Sequence, residues 1–134
     1  MQVHKVAVTP PSDQRYAATL ALDETRLYII RTGAVEALDH FPVIRNTPNL
    51  RVTPDLVDEY KEKEAWFSLF PLTEILTWAE HTTLPLDEIN AVQLDDSGDV
   101  PTVQISTAEA AYTFALRLTD EKTLKALVQR LKSS

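Results

Sequence analysis

The chain has no cysteine, two glycines and one methionine among its 134 residues, and these scarcities exclude whole classes of chemistry. Without cysteine there is no disulfide, no thiolate nucleophile and no Cys-based zinc site, so stability must come from packing. Gly33 and Gly98 stand far apart. Phosphate-cradling loops and dinucleotide fingerprints both cluster glycines so that the backbone can close on phosphate, and neither motif is present. No run approaches the roughly 18 apolar residues of a membrane span. The opening MQVHKVAVTPPSD holds an apolar stretch shorter than a signal-peptide core and meets two prolines rather than a small-residue cleavage site. A cytoplasmic protein is expected.

Positive charge is also scarce, and unevenly so. The formal net charge is −7. Residues 1–54 carry 6 Lys/Arg against 5 Asp/Glu, residues 55–99 carry 2 against 12, and residues 100–134 carry 5 against 3. An acidic middle of this size repels phosphate backbones and anionic headgroups, so nucleic acid is not an expected partner and membrane lipid is disfavoured. The acidic segment is either a solvated surface or a docking face for a basic partner.

What remains is ordinary for a folded domain: 44% apolar and 25% charged residues, in a chain sized for a single core. One domain over residues 1–134 is expected. VHKVAVT reads as a strand stopped by Pro10-Pro11, because proline cannot donate to a ladder. RYAATLALDETRLYIIRTG gives two more strands, Tyr16–Leu22 and Arg26–Thr32, joined through Asp23-Glu24-Thr25 as a hairpin. From Ala34 to Thr53 the pattern degrades into a long connection, with room for one short strand around Pro42–Arg45.

TPDLVDEYKEKEAWFSLFP begins as a helix: Thr53 suits the cap, Pro54 the first turn, and Asp55 and Asp58 complement the dipole. AWFSLFP is either its last turns or a separate strand. Leu72, Ile75, Leu76 and Ala79 recur at helical spacing, which predicts a second short helix over Leu72–His81. LPLDEINAVQLDD, VPTVQISTA and AYTFALRLT read as consecutive antiparallel strands, the first bent or bulged near Asn90-Ala91. Finally, Leu124, Leu127, Val128 and Leu131 fall on one helical stripe behind a Thr119 or Asp120 cap, opposite a basic face of Lys122, Lys125, Arg130 and Lys132.

This order of elements resembles the pleckstrin-homology-like superfold, in particular its bacterial and GRAM-like members. The resemblance lies in ATLALDETRLYIIRTG, a strand, polar turn and Arg-Leu-aromatic strand, and in LPLDEINAVQL with VPTVQIST, AYTFALRL and EKTLKALVQRL, a Pro-Leu-acidic-Ile segment, two strands and a final helix. It covers about half the chain. It implies an α+β fold: an antiparallel PH-like barrel or curved sheet with a C-terminal closing helix and a helical insertion in the middle. It further implies a non-catalytic interaction or scaffold module. A rival arrangement is an ordinary α+β domain whose middle helices pack on an antiparallel sheet.

No motif carries chemistry. His4, His40 and His81 lack any spacing that would put two imidazoles on one helical face. Asp95-Asp96-Ser97-Gly98-Asp99 lacks the calcium-loop register and reads as a hairpin turn. Serines have no G-x-S-x-G context. We therefore expect no catalytic residue, no metal site and no cofactor. The residues with most to say are the aromatics Trp66, Phe67, Phe70 and Trp78. They either anchor the middle helices to the core or form a partner-binding patch with an acidic rim, since such residues dominate interface hot spots. The expected partner is a protein, another copy of the chain included. Two other functions fit the sequence: a small hydrolase or small-molecule-binding protein using scattered carboxylates, and an obligate homo-oligomer that buries the closing helix or an edge strand between copies.

Overall fold

The computed structural model describes residues 1–12, 14–40, 54–117 and 119–132. In chain order they form β1 (Gln2–Thr9), β2 (Tyr16–Leu22), β3 (Arg26–Gly33), a 3-10 helix (Val35–His40), α1 (Pro54–Leu69) and α2 (Leu72–Trp78). Then follow β4 (His81–Pro85), a 3-10 turn (Leu86–Glu88), β5 (Ala91–Asp95), β6 (Thr102–Ser106), β7 (Ala111–Leu116) and α3 (Glu121–Lys132). The fold is α+β. All seven strands belong to one antiparallel sheet in the order β4-β3-β2-β1-β7-β6-β5, and the two outermost strands do not pair with each other. None of the described helices is long and apolar enough to cross a membrane.

Short polar turns set the registers. Asp23 Oδ1 accepts the backbone N–H of Thr25 (2.9 Å) and Arg26 (2.8 Å), and its Oδ2 accepts the Tyr28 phenol at 3.0 Å. This closes the β2–β3 hairpin by the local side-chain bonding that suits Asp to turns. Asp95 repeats the device between β5 and β6, taking the Ser97 N–H at 3.0 Å. At the other end of the chain Asp120 Oδ1 accepts the Thr123 N–H at 2.7 Å and caps α3.

The central strands are covered on both faces. On one face Val6, Val8, Ala18, Leu20, Leu27, Ile29, Val103, Ile105, Phe114 and Leu116 form a core with Leu124, Leu127 and Leu131 of α3. The sheet curls about this core. A flat sheet would hold β4 and β7 about 19 Å apart, four strand spacings, yet Thr82 of β4 and Tyr112 of β7 line one cavity. The opposite parity carries small residues: Ala7 and Ala17 pack against Ala37, Leu38 and Tyr60, while Ala21, Tyr28 and Ile30 pack against Ile75 of α2. Alanines on this face leave room for helices to lie close on the backbone. Gly33, at φ 157°, completes that approach, with the Tyr60 Cα 3.6 Å from where a Cβ would stand.

One alternative left open by the sequence is resolved, and two boundaries differ from the sequence reading. AWFSL belongs to α1, which runs unbroken to Leu69. The second helix stops at Trp78 rather than His81, because Ala79 turns extended (φ −89°, ψ 140°) and His81 opens β4 opposite Ile30. The segment LPLDEINAVQLDD is not one bent strand: it contains the end of β4, the 3-10 turn Leu86–Glu88 and β5. The short strand expected around residues 42–45 lies outside the described residues.

Candidate functional site

The four aromatics singled out in the sequence lie together where α1 meets α2, but they do different things. Trp66 and Phe67 are half-buried over the cluster of Ala21, Tyr28, Ile30 and Ile75. Phe67 also meets the His4 ring edge-on, centroids 5.5 Å apart. Phe70 and Trp78 face outward, 39% and 45% exposed, and the adjoining Leu69 is 69% exposed. The Trp78 ring stands at 76° to Trp66 with centroids 4.5 Å apart, and at 86° to Phe70 at 5.7 Å. These edge-to-face arrangements favour ring quadrupoles and hold the rings in fixed poses. The inner pair thus packs on the sheet as an anchor, and the outer pair is presented to solvent.

The surround of this face is acidic. Glu62 stands one helical turn before Trp66, Glu74 one turn before Trp78, and Glu80 two residues beyond it, all exposed. No Lys or Arg occurs between Glu64 and Glu80.

A second constellation, missed at the sequence level, underlies the first. β1 carries a bulge between Val3 and Val6, and Lys5 within it has a left-handed φ of 59°. A non-glycine residue there is strained, and bulges commonly re-aim a side chain. Here the Lys5 Nζ reaches Glu64 Oε1 on α1 at 2.8 Å, with both side chains about four-fifths buried. The other carboxylate oxygen accepts a short hydrogen bond from the Tyr60 phenol. Burial opposes ionisation of Glu64, but the bonds from Lys5 and Tyr60 outweigh it and hold the pKa below the usual carboxylate range. Burial, and then the bond to Glu64, push the Tyr60 phenol far up. Thr32, wholly buried, sits close enough to the phenol oxygen to oppose that rise, yet its hydroxyl completes no acceptable hydrogen bond among the described residues. His4, beside Lys5, bonds through Nδ1 to Thr19 Oγ1 at 2.9 Å, and burial lowers its pKa.

These groups line an open groove of about 380 Å³ with Lys61, Ala65 and Ser68. Glu64, Tyr60 and Lys5 do not suit proton transfer near neutrality. The carboxylate is a weakened base, the phenol a weakened acid, and the lysine is engaged by the carboxylate. The arrangement instead ties α1 to the sheet. Among the described residues no group of three or more His, Cys, Asp or Glu is placed to hold a metal ion. His4 and His81 stand apart: His81 bonds to the Ala79 carbonyl at 2.9 Å. The stripe of α3 is spent within its own chain, with Leu124, Leu127 and Leu131 buried.

No protein-family model matches the chain, and no curated protein is significantly similar to it in sequence.

Proposed function

We propose that the chain is a PH-like, non-catalytic interaction module that docks a basic protein segment on the Phe70–Trp78 face. The PH-like reading is supported by the strand order, by the unpaired β4 and β5 edges, and by a helix after the last strand that packs on the inner core. In this reading α1 and α2 are an insertion between β3 and β4 that covers the outer face of the sheet. The observation that carries the functional step is the fixed edge-to-face pair of Phe70 and Trp78, 39% and 45% exposed, with Glu62, Glu74 and Glu80 around it. Rigid aromatic anchors inside a charged rim are what interface hot spots are made of. The acidic rim selects for a partner with Lys or Arg flanking an apolar anchor.

The test is a pull-down from lysate at low and high salt with the wild-type chain and with a Phe70→Ala/Trp78→Ala variant. The variant leaves Trp66 and Ile75 in place and should keep its fold by circular dichroism. A specific basic partner, weakened by salt and lost with the folded variant, is the expected result. Equal recovery by both proteins would refute the proposal.

A further inference from the structure

The curled sheet is closed at one end only. At the end nearer the β2–β3 turn, α3 covers the core, and the Arg130 guanidinium donates to the Asp23 carbonyl. At the opposite end, between the β1–β2 connection and the start of β4, a cavity of about 420 Å³ opens to solvent. Ile29 forms part of its apolar lining, Pro10 and Pro11 stand at its mouth, and Tyr16, Arg31, Glu80 and Tyr112 supply polar groups.

Three of the polar groups, Arg31, Tyr16 and Tyr112, have no ion-pair or hydrogen-bond partner for their side-chain donors among the described residues. Arg31 is half-buried and lies over the Tyr16 ring, its guanidinium carbon 5.3 Å from the centroid. Its guanidinium makes no ion pair among the described residues, although Glu80 follows it across the β3–β4 junction, where the Arg31 N–H donates to the Glu80 carbonyl at 2.9 Å. The phenols of Tyr16 and Tyr112, both half-buried, likewise have no hydrogen-bond partner among the described residues. Tyr16 feels Tyr112, Arg31 and Glu80 electrostatically, so the four groups share one site, and burial keeps its phenol protonated as a donor. A guanidinium and two phenol donors with no acceptor among the described residues, beside two tyrosine rings and two prolines, suit a planar anion. Among the described lining residues Arg31 is the one Lys or Arg, with His81 beside it, and Glu80 sits in the same lining, which disfavours a multiply charged phosphate ester.

We propose that this cavity binds a small organic monocarboxylate, its carboxylate on Arg31 and the Tyr16 and Tyr112 hydroxyls and its apolar body against the two tyrosine rings and the prolines. The volume is in the range of small-molecule sites. The site shares Glu80 with the rim of the aromatic face but none of that face's aromatic residues.

The experiment is calorimetric titration of the full chain with benzoate, phenylacetate, indole-3-acetate, hexanoate and octanoate. Inorganic phosphate and anionic phospholipid vesicles at matched ionic strength serve as the contrasting probes. At least one monocarboxylate should bind with a Kd below about 1 mM. Arg31→Gln should weaken it about tenfold or more, and Tyr112→Phe, which removes one hydroxyl and leaves the ring, should weaken it by a smaller factor. Thermal melts of both variants establish that they fold. No binding by any of the five acids, unchanged affinity in folded Arg31→Gln, or tighter binding of phosphate or vesicles would each overturn the proposal.

Discussion

Replacing Glu64 by Gln tests the tie between α1 and the sheet most directly. Gln keeps the size of the side chain and one acceptor for the Tyr60 phenol, but it removes the charge that holds Lys5. The wild-type pair is 2.8 Å long, with 20% and 24% of the two side chains exposed, between the exposed pairs that contribute about 0.2–1 kcal/mol and the buried pairs whose rupture costs about 3–5 kcal/mol. Loss of a hydrogen bond to a charged group adds to this. The expected cost at neutral pH is about 2 kcal/mol, or roughly 6–10 °C in Tm for a domain of this size.

The same reasoning fixes the pH dependence. Glu64 has a folded pKa below its ordinary 4.5, so its contribution is complete above about pH 4.5 and is lost as the pH falls through the folded pKa, where the unfolded chain already holds the proton. The gap between wild type and Glu64→Gln should therefore narrow in acid. Urea unfolding of both proteins across pH, with Lys5→Met and the double variant to complete a cycle, measures the pair. A cost under about 0.5 kcal/mol at neutrality, or one that stays constant from about pH 7 to about pH 3, would refute the account.

Two further outcomes follow from neighbouring residues. At an ordinary strand position glycine is less stable than alanine, but the left-handed φ of 59° at Lys5 reverses this: Lys5→Gly should exceed Lys5→Ala by about 1 kcal/mol in urea unfolding, and the opposite order would remove the strain argument. Burial lowers the His4 pKa below 6.5, so the unfolded chain takes up a proton first as the pH falls, and stability declines from about pH 6.5 downward. His4→Gln should flatten that part of the stability profile, and a profile unchanged by the substitution would show that His4 is not the titrating group.

Much of the fold was legible because it is written in local patterns. The two hairpin strands Tyr16–Leu22 and Arg26–Gly33 appear where β-branched and apolar residues run between an Asp-Glu-Thr turn and a glycine. The closing helix appears because Leu124, Leu127 and Leu131 repeat at helical spacing behind an aspartate cap. His81 was read as the end of a helix because the strand it opens is set by pairing with Ile29 and Ile30, some fifty residues away, and no local signal announces that. The Lys5–Glu64–Tyr60 constellation was illegible for the same reason. Its members are 59 residues apart in sequence, and the bulge that aims Lys5 leaves no glycine as a marker. The aromatic cluster was visible as composition, but its division into buried and displayed members was not.

That division follows from how the outer face of the sheet is covered. Alanines at positions 7, 17 and 21 give helices close access but little apolar area, so the contact cannot hold α1 by burial alone as a leucine face would. The polar tie at Glu64 supplies what the small residues do not, and Tyr60, with no exposed surface, serves both, packing its ring on Ala7 and Ala17 while its hydroxyl binds Glu64. Beyond this anchor α1 continues to Leu69, and α2 returns to the sheet through Ile75. Phe70 lies at the turn between the two helices, and Trp78 ends α2, its ring edge-to-face with that of Trp66. Neither ring belongs to a buried cluster, so trimming both to alanine should leave the fold intact, with a thermal midpoint close to that of the wild type.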